Sequence, residues 1–227
     1  SAIVFNEGTL ITLDDRCQLS GNCVETCPST AREMGGKDMT VREVMEEIDK
    51  DIVFYDESGG GVTFSSGEPL MQPALLHILL RLCKARRIHT AVETCGFAEP
   101  ETLLKIENYV DLFLYDLKVI DDDKHERFTG ASNSTILENL KALSRHHSKV
   151  IVRFPLIPTV NDDRENLSET ARFVSALTNV HEVQILPYHQ GAIQKYRGLR
   201  RTYQLLDIKP PSSCLLYTSP SPRDRQK

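Results

Sequence analysis

From residue 61 to residue 187 the chain repeats one rhythm: a short apolar run of strand length, then an amphipathic stretch long enough for a helix. The strand candidates are GVTFS (61–65), IHTAVET (88–94), DLFLYDL (111–117), KVIVRFP (149–155) and HEVQILP (181–187). Between them lie helix candidates at 73–87, 100–109, 134–147 and 165–178. A further helix is expected after Thr40, whose hydroxyl and the carboxylate of Glu43 have the spacing of a capping box. Apolar strands alternating with helices imply a parallel sheet, because a parallel connection needs a crossover of this length. The sheet is expected to be closed or partly closed as a barrel.

In such sheets ligands bind at the C-terminal ends of the strands. The first strand ends on Ser66-Gly67-Glu68-Pro69 and the second on Glu93-Thr94. The third ends on Asp116-Leu117-Lys118, the fourth carries Arg153, and the fifth runs into Tyr188-His189. Each of these groups, alone, reads equally well as a helix cap or a surface ion pair. Together on one rim they fit a polar ligand site better.

Three textures divide the chain: a Cys- and Gly-rich segment (1–36), the alternating region (37–210), and a Pro/Ser-rich, charged tail (211–227). The net charge of -5 gives no general drive toward nucleic acid or anionic membrane. No apolar run reaches the length of a membrane span. The opening SAIVFNEGTL has neither a charged n-region nor an apolar h-region, so no signal peptide is expected and a cytoplasmic location follows. The missing initiator Met leads us to expect that residues upstream are absent.

Three of the six cysteines, Cys17, Cys23 and Cys27, fall within eleven residues, a density that reads as metal ligation before disulfides. The bacterial iron–sulfur run is C-x2-C-x2-C-x3-C-P. Cys17, Ser20, Cys23 and Cys27-Pro28 occupy its four positions, with Ser20 as the departure. An alkoxide is a poor iron ligand, so the motif is incomplete; a zinc knuckle and unligated thiols remain open.

The segment SGGGVTFSSGEPLMQP (58–73) resembles the activating enzymes of glycyl radical enzymes, a radical S-adenosylmethionine group that includes the pyruvate formate-lyase activating enzyme. The likeness continues through HTAVETCGF (89–97), DLFLYDLKVID (111–121), HERFTGASNSTILENL (125–140), VRFPLIPTVND (152–162) and ILPYHQGAIQKYRGL (185–199). It fits best the subgroup with a ferredoxin-like insertion. The resemblance implies an α/β fold: a partial (β/α)6 barrel lacking its first strand, with residues 1–36 the remnant of that insertion. It implies that Ser66, Gly67, Glu68 and Pro69 hold the amino group of S-adenosylmethionine, Arg153 its carboxylate and His189 its nucleoside. It places Glu93, Thr94 and Asp116 around a monovalent cation and Lys118 at the reacting centre. It assigns Cys17, Cys23 and Cys27 to a [4Fe–4S] cluster.

The implied chemistry is reductive cleavage of S-adenosylmethionine to a deoxyadenosyl radical, which abstracts hydrogen from a glycine of the partner, a glycyl radical enzyme. The electron comes from a donor such as flavodoxin or ferredoxin. The family's C-x3-C-x2-C cluster loop occurs nowhere in these 227 residues, so the chain by itself is expected to yield no 5′-deoxyadenosine under anaerobic reduction. The segment CLLYTSPSPRDRQK (214–227) departs from the family and is read as non-native. Two alternatives stay open: a radical enzyme acting on a small molecule, and a ferredoxin-type electron carrier.

Overall fold

A computed structural model describes residues 2–6, 8–65, 67–147, 149–199 and 201–211. Ser66 and the tail from 212 onward, both singled out above, lie outside the described residues. Two compact units meet between Met39 and Thr40, close to the change of texture after residue 36.

In the first unit, β1 (Ile3–Asn6) and β2 (Thr9–Thr12) pair as an antiparallel hairpin, which the sequence reading did not anticipate. A single helical turn, α1 (Asn22–Glu25), starts after Gly21, which sits at φ +79°, where a side chain is disfavoured. Arg32 reaches back to the hairpin, its Nη1 donating to Thr12 Oγ1 at 2.9 Å. No described residue of this unit is buried.

The second unit opens on α2 (Val41–Asp49), with the expected capping box complete: Thr40 accepts from Glu43 N–H, and Glu43 accepts from Thr40 N–H. Then follow α3 (Ile52–Ser58), β3 (Gly61–Phe64), α4 (Pro73–Ala85), β4 (His89–Thr94), α5 (Pro100–Ile106), β5 (Leu112–Asp116) and α6 (Asp122–Thr129). The chain continues with α7 (Ser134–His146), β6 (Val150–Leu156), α8 (Arg164–Ser175), β7 (Val180–Pro187) and α9 (Ala192–Gly198). The strands lie within a residue of their expected ends. Helix α4 stops short of residue 87 because Arg87 takes φ +60°, which ends the helix. Helices α3, α6 and α9 were not foreseen. In α6 the sequence DDKHERFT offers almost no apolar face, and tertiary and capping bonds hold it instead: Asp121 accepts from Lys124 N–H, and Gly130 closes the end at φ +84°.

The five strands pair in parallel in the order β3-β4-β5-β6-β7. Because the order never reverses, every crossover advances the sheet the same way, as in a barrel wall rather than a doubly wound sheet. Strand alternation splits the side chains between two faces. Val92, Phe113, Tyr115, Val150 and Val152 face Leu76 and Leu80 of α4, Ile106 of α5, Leu140 and Leu143 of α7 and Val174 of α8, forming the main core. The opposite face carries Glu93, Leu114, Asp116, Ile151 and Arg153, all half-buried. That polar stripe positions the site. No helix among the described residues is long and apolar enough to cross a membrane.

Candidate functional site

Register brings Asp116 of β5 directly beside Arg153 of β6, with Glu93 one step back on β4. Arg153, whose side chain is 14% exposed, donates Nε to Asp116 Oδ1 at 2.9 Å and Nη2 to Glu93 Oε1. Burial alone lowers the proton affinity of Arg153, but the two carboxylates outweigh it and the guanidinium stays charged. Asp116 shows the reverse balance: burial raises its carboxyl above the usual range despite the pull of Arg153 and then Lys118. Lys118 is half-buried and couples electrostatically to both Asp116 and Cys95.

A second cluster joins the loop after β3 to the end of β4. Gly67 turns the chain at φ +60°, and Pro69 begins a short 3-10 turn through Met71. The Glu68 carboxylate accepts from Thr94 Oγ1 at 2.6 Å, from Cys95 N–H at 2.9 Å, from Cys95 Sγ at 3.0 Å and from Leu70 N–H at 3.1 Å. Four donors fix this carboxylate and lock the Gly-Glu-Pro loop against β4. Burial, then the bond to Glu68, pushes the Cys95 thiol up to about 11, so it stays protonated at neutral pH and can donate. Next to it, Gly96 lies at φ +72°, and a Cβ there would fall 1.7 Å from Tyr115 Oη. Only glycine fits.

The expected rim groups therefore separate into two clusters with Lys118 coupled to both. Glu93, Asp116 and Arg153 converge as expected. Glu93 and Thr94, expected to share a cation with Asp116, point to opposite faces of β4; Thr94 serves Glu68, and Arg153 takes up both carboxylates. The three side chains do not gather around one point. His189 is exposed, its Nδ1 accepting from Gly191 N–H at 3.1 Å in its own turn. In the other unit Cys17, Cys23 and Cys27 are half-buried free thiols, and no group of three or more His, Cys, Asp or Glu among the described residues is arranged to hold a metal. These thiols as they stand do not fit a [4Fe–4S] cluster. Sequence reasoning missed the four donors on Glu68 and the buried amides of Asn133, Asn139, Asn161 and Asn166. Asn133, Asn161 and Asn166 lie at or beside helix starts, a weak sequence signal, whereas Asn139 lies mid-helix and leaves none.

The rim does fit a small zwitterion that carries an extra positive charge. Glu68, Glu93 and Asp116 set three carboxylates against the two cations Arg153 and Lys118, leaving one net negative charge. S-adenosylmethionine pairs an ammonium and a sulfonium with one carboxylate, which is the complementary sum.

Comparison with known proteins agrees. The profile of the Radical SAM superfamily matches residues 18–173. A trans-4-hydroxy-L-proline dehydratase activating enzyme of Clostridioides difficile is 42% identical over 187 residues, covering 81% of this chain and 62% of that protein. The chain thus spans about three fifths of that relative's length. A pyruvate formate-lyase-activating enzyme of Clostridium pasteurianum is 39% identical over 209 residues, covering 91% of this chain and 83% of that protein. The solved domain of a pyruvate-formate lyase-activating enzyme from Bacteroides vulgatus ATCC 8482 matches with a TM-score of 0.60 at 32% identity, over 70% of this chain and 90% of that one. Nothing in these matches favours the electron-carrier or small-molecule readings. The chain belongs to the radical SAM superfamily, whose chemistry joins a [4Fe–4S] cluster to S-adenosylmethionine, and within it to the activating enzymes of glycyl radical enzymes.

Proposed function

We propose that this chain is the S-adenosylmethionine-binding part of an activase that installs a radical on a glycine of a partner enzyme. The observation that carries the reading is the Glu93–Arg153–Asp116 cluster beside the locked Gly-Glu-Pro loop. Arg153 offers a planar fork suited to a carboxylate. The loop backbone around Gly67, pinned by Glu68, and the adjoining carboxylates suit an ammonium. Ser66, Gly67, Pro69 and His189 complete the ligand's surroundings in this reading, and Lys118 stands nearest the reacting end. Glu93, Thr94 and Asp116 are given no cation in this reading, because Arg153 takes up both carboxylates and Thr94 serves Glu68.

The chemistry that the bound ligand and cluster supply is a one-electron reductive cleavage followed by hydrogen abstraction. The protein's share is to orient the ligand and exclude water, a positioning problem. Electron delivery is assigned to a flavodoxin or ferredoxin; Cys17, Cys23 and Cys27, which are not gathered as metal ligands, are given no cluster in this reading. Both relatives are named for activating another enzyme, which supports a protein substrate. They differ in the enzyme activated, so the partner is left at its class. Free thiols among the described cysteines suit a reducing cytoplasm.

Equilibrium dialysis of the chain against labelled S-adenosylmethionine tests the site. Saturable uptake is expected, weakened about tenfold or more by Arg153→Ala, since charge-assisted bonds of this kind carry about 1.5–3 kcal/mol. Uptake indifferent to Arg153 sinks the reading.

A further inference from the structure

The backbone that follows β5 is held by three buried asparagines drawn from elsewhere in the chain. Asn161, 1% exposed, donates Nδ2 to the carbonyls of Lys118 at 2.8 Å and Pro155 at 2.7 Å, while its Oδ1 accepts from Ile157 N–H at 2.7 Å. Asn133 donates to the carbonyls of Val119 and Ile120 at 3.0 and 2.8 Å. Asn166 accepts from Ile120 N–H at 3.0 Å and donates to the Asn161 carbonyl at 2.9 Å. Both donor hydrogens and the acceptor of Asn161 are thus engaged. Rotating or trimming it leaves buried carbonyls and an amide unpaired.

The loop that presents Asn161 is itself under strain. Thr159, a β-branched residue, sits at φ +65°, and its N–H is held by Asp162 Oδ1 at 2.8 Å. Strain of this kind persists only where the surroundings over-determine it, and it gathers at functional sites. Beside it, the Lys124 ammonium bonds Asp163, the cap of α8, and ties α6 to the same corner.

What Asn161 joins matters. One of its partners is the carbonyl of Lys118; the other belongs to Pro155, two residues past Arg153 on the same strand face. We propose that Asn161 is a positioning residue of the rim: it sets where Lys118 stands relative to Arg153, and Asn133 and Asn166 lock the same segment from its far side. With its side chain spent on Lys118, Pro155 and Ile157, Asn161 acts through the lysine. The functional meaning rests on the S-adenosylmethionine reading above, whereas the positioning itself does not.

Competitive acetylation of the intact chain, with Lys118 read by mass spectrometry against exposed Lys105, tests the positioning directly. Asn161→Ala should change the relative labelling rate of Lys118 by about threefold or more, as local opening exposes the segment. Asn139→Ala is the matched control. It strips a buried amide from two other carbonyls, Gly96 at 2.8 Å and Ala98 at 2.7 Å, and should leave Lys118 unchanged. If Asn161→Ala does not fold, Asn161→Ser, which keeps one donor, replaces it. Unchanged Lys118 labelling in a folded Asn161 variant overturns the proposal. So does an equal change in Asn139→Ala.

A dialysis cycle with S-adenosylmethionine then separates positioning from general damage. Asn161→Ala should weaken uptake in the parent chain but add nothing in a Lys118→Ala background, because coupled residues are not additive. Additive losses also overturn the proposal. If the parent chain takes up no S-adenosylmethionine, the function proposed above falls, and the labelling result still decides whether Asn161 positions Lys118.

Discussion

The unit up to Met39 buries none of its described residues, whereas the unit that follows seals an apolar cluster reaching from Leu70 to Val174 beneath its sheet. One is held by a hairpin, single turns and local polar bonds; the other by packing among strands and helices far apart in sequence. A segment of about 40 residues rarely assembles a sufficient core, and natural examples lean on metals or crosslinks. The contrast teaches where each kind of residue does its work. In the sheet unit a side chain counts by what it packs against. In the cysteine unit it counts by its chemistry.

Core truncation should expose the difference most strongly. Phe113→Ala, at a fully buried ring that also meets the edge of His147, should cost about 3–5 kcal/mol in urea unfolding. Leu10→Ala in the hairpin, 53% exposed, should stay within about 0.5 kcal/mol. Equal losses would break the comparison. Gly96→Ala comes next, expected at about 2–3 kcal/mol, because it combines φ +72° with a Cβ driven into buried Tyr115. Thermal unfolding reads that loss, and a neutral result would mean that the loop after β4 yields more readily than its packing implies.

Thiol chemistry sharpens the contrast at smaller amplitude. The Ser29 hydroxyl and the Ala31 amide lower the Cys27 thiol, while burial pushes Cys83 and Cys95 up to about 11. With iodoacetamide near pH 7.5, Cys27 should react at least about tenfold faster than either. Peptide mass spectrometry ranks the three, and an inverted order would count against the burial assigned to the sheet unit. The smallest expected effect is a pH slope. Asp116 titrates above its unfolded value, so the folded chain takes up a proton that the unfolded chain does not. Its contribution to stability therefore grows as pH falls from the raised value toward the ordinary carboxylate range, and is lost as pH rises back through the raised value. Asp116→Asn should flatten that part of the stability curve, and an unaltered slope would assign it to another group.

The strands of the sheet were legible because apolar runs and helix-length gaps leave a periodic trace, and so was the rim, because strand ends are fixed once strands are placed. Thr40 with Glu43 announced a helix start by spacing alone. Other features left no trace. Helix α6 is polar throughout most of its length, and its stability comes from caps and from Asp122 binding Ser132 and Asn133. The partners of Glu68 at Thr94 and Cys95 lie 26 and 27 residues away, and those of Asn161 and Asn166 on the loop after β5 lie 43 and 46 residues away. No local pattern encodes such pairings. Glu68 illustrates the point: the resemblance sets it beside an ammonium, and nothing local announces that its carboxylate fastens one loop to the next strand.

The capping box at Thr40 has a practical corollary. A helix that supplies both halves of its own cap needs no neighbour to begin, and this one begins where the two units part. A gene cut just ahead of codon 40 therefore keeps both halves of that cap, making that cut the natural seam for expressing the sheet unit apart from Cys17, Cys23 and Cys27.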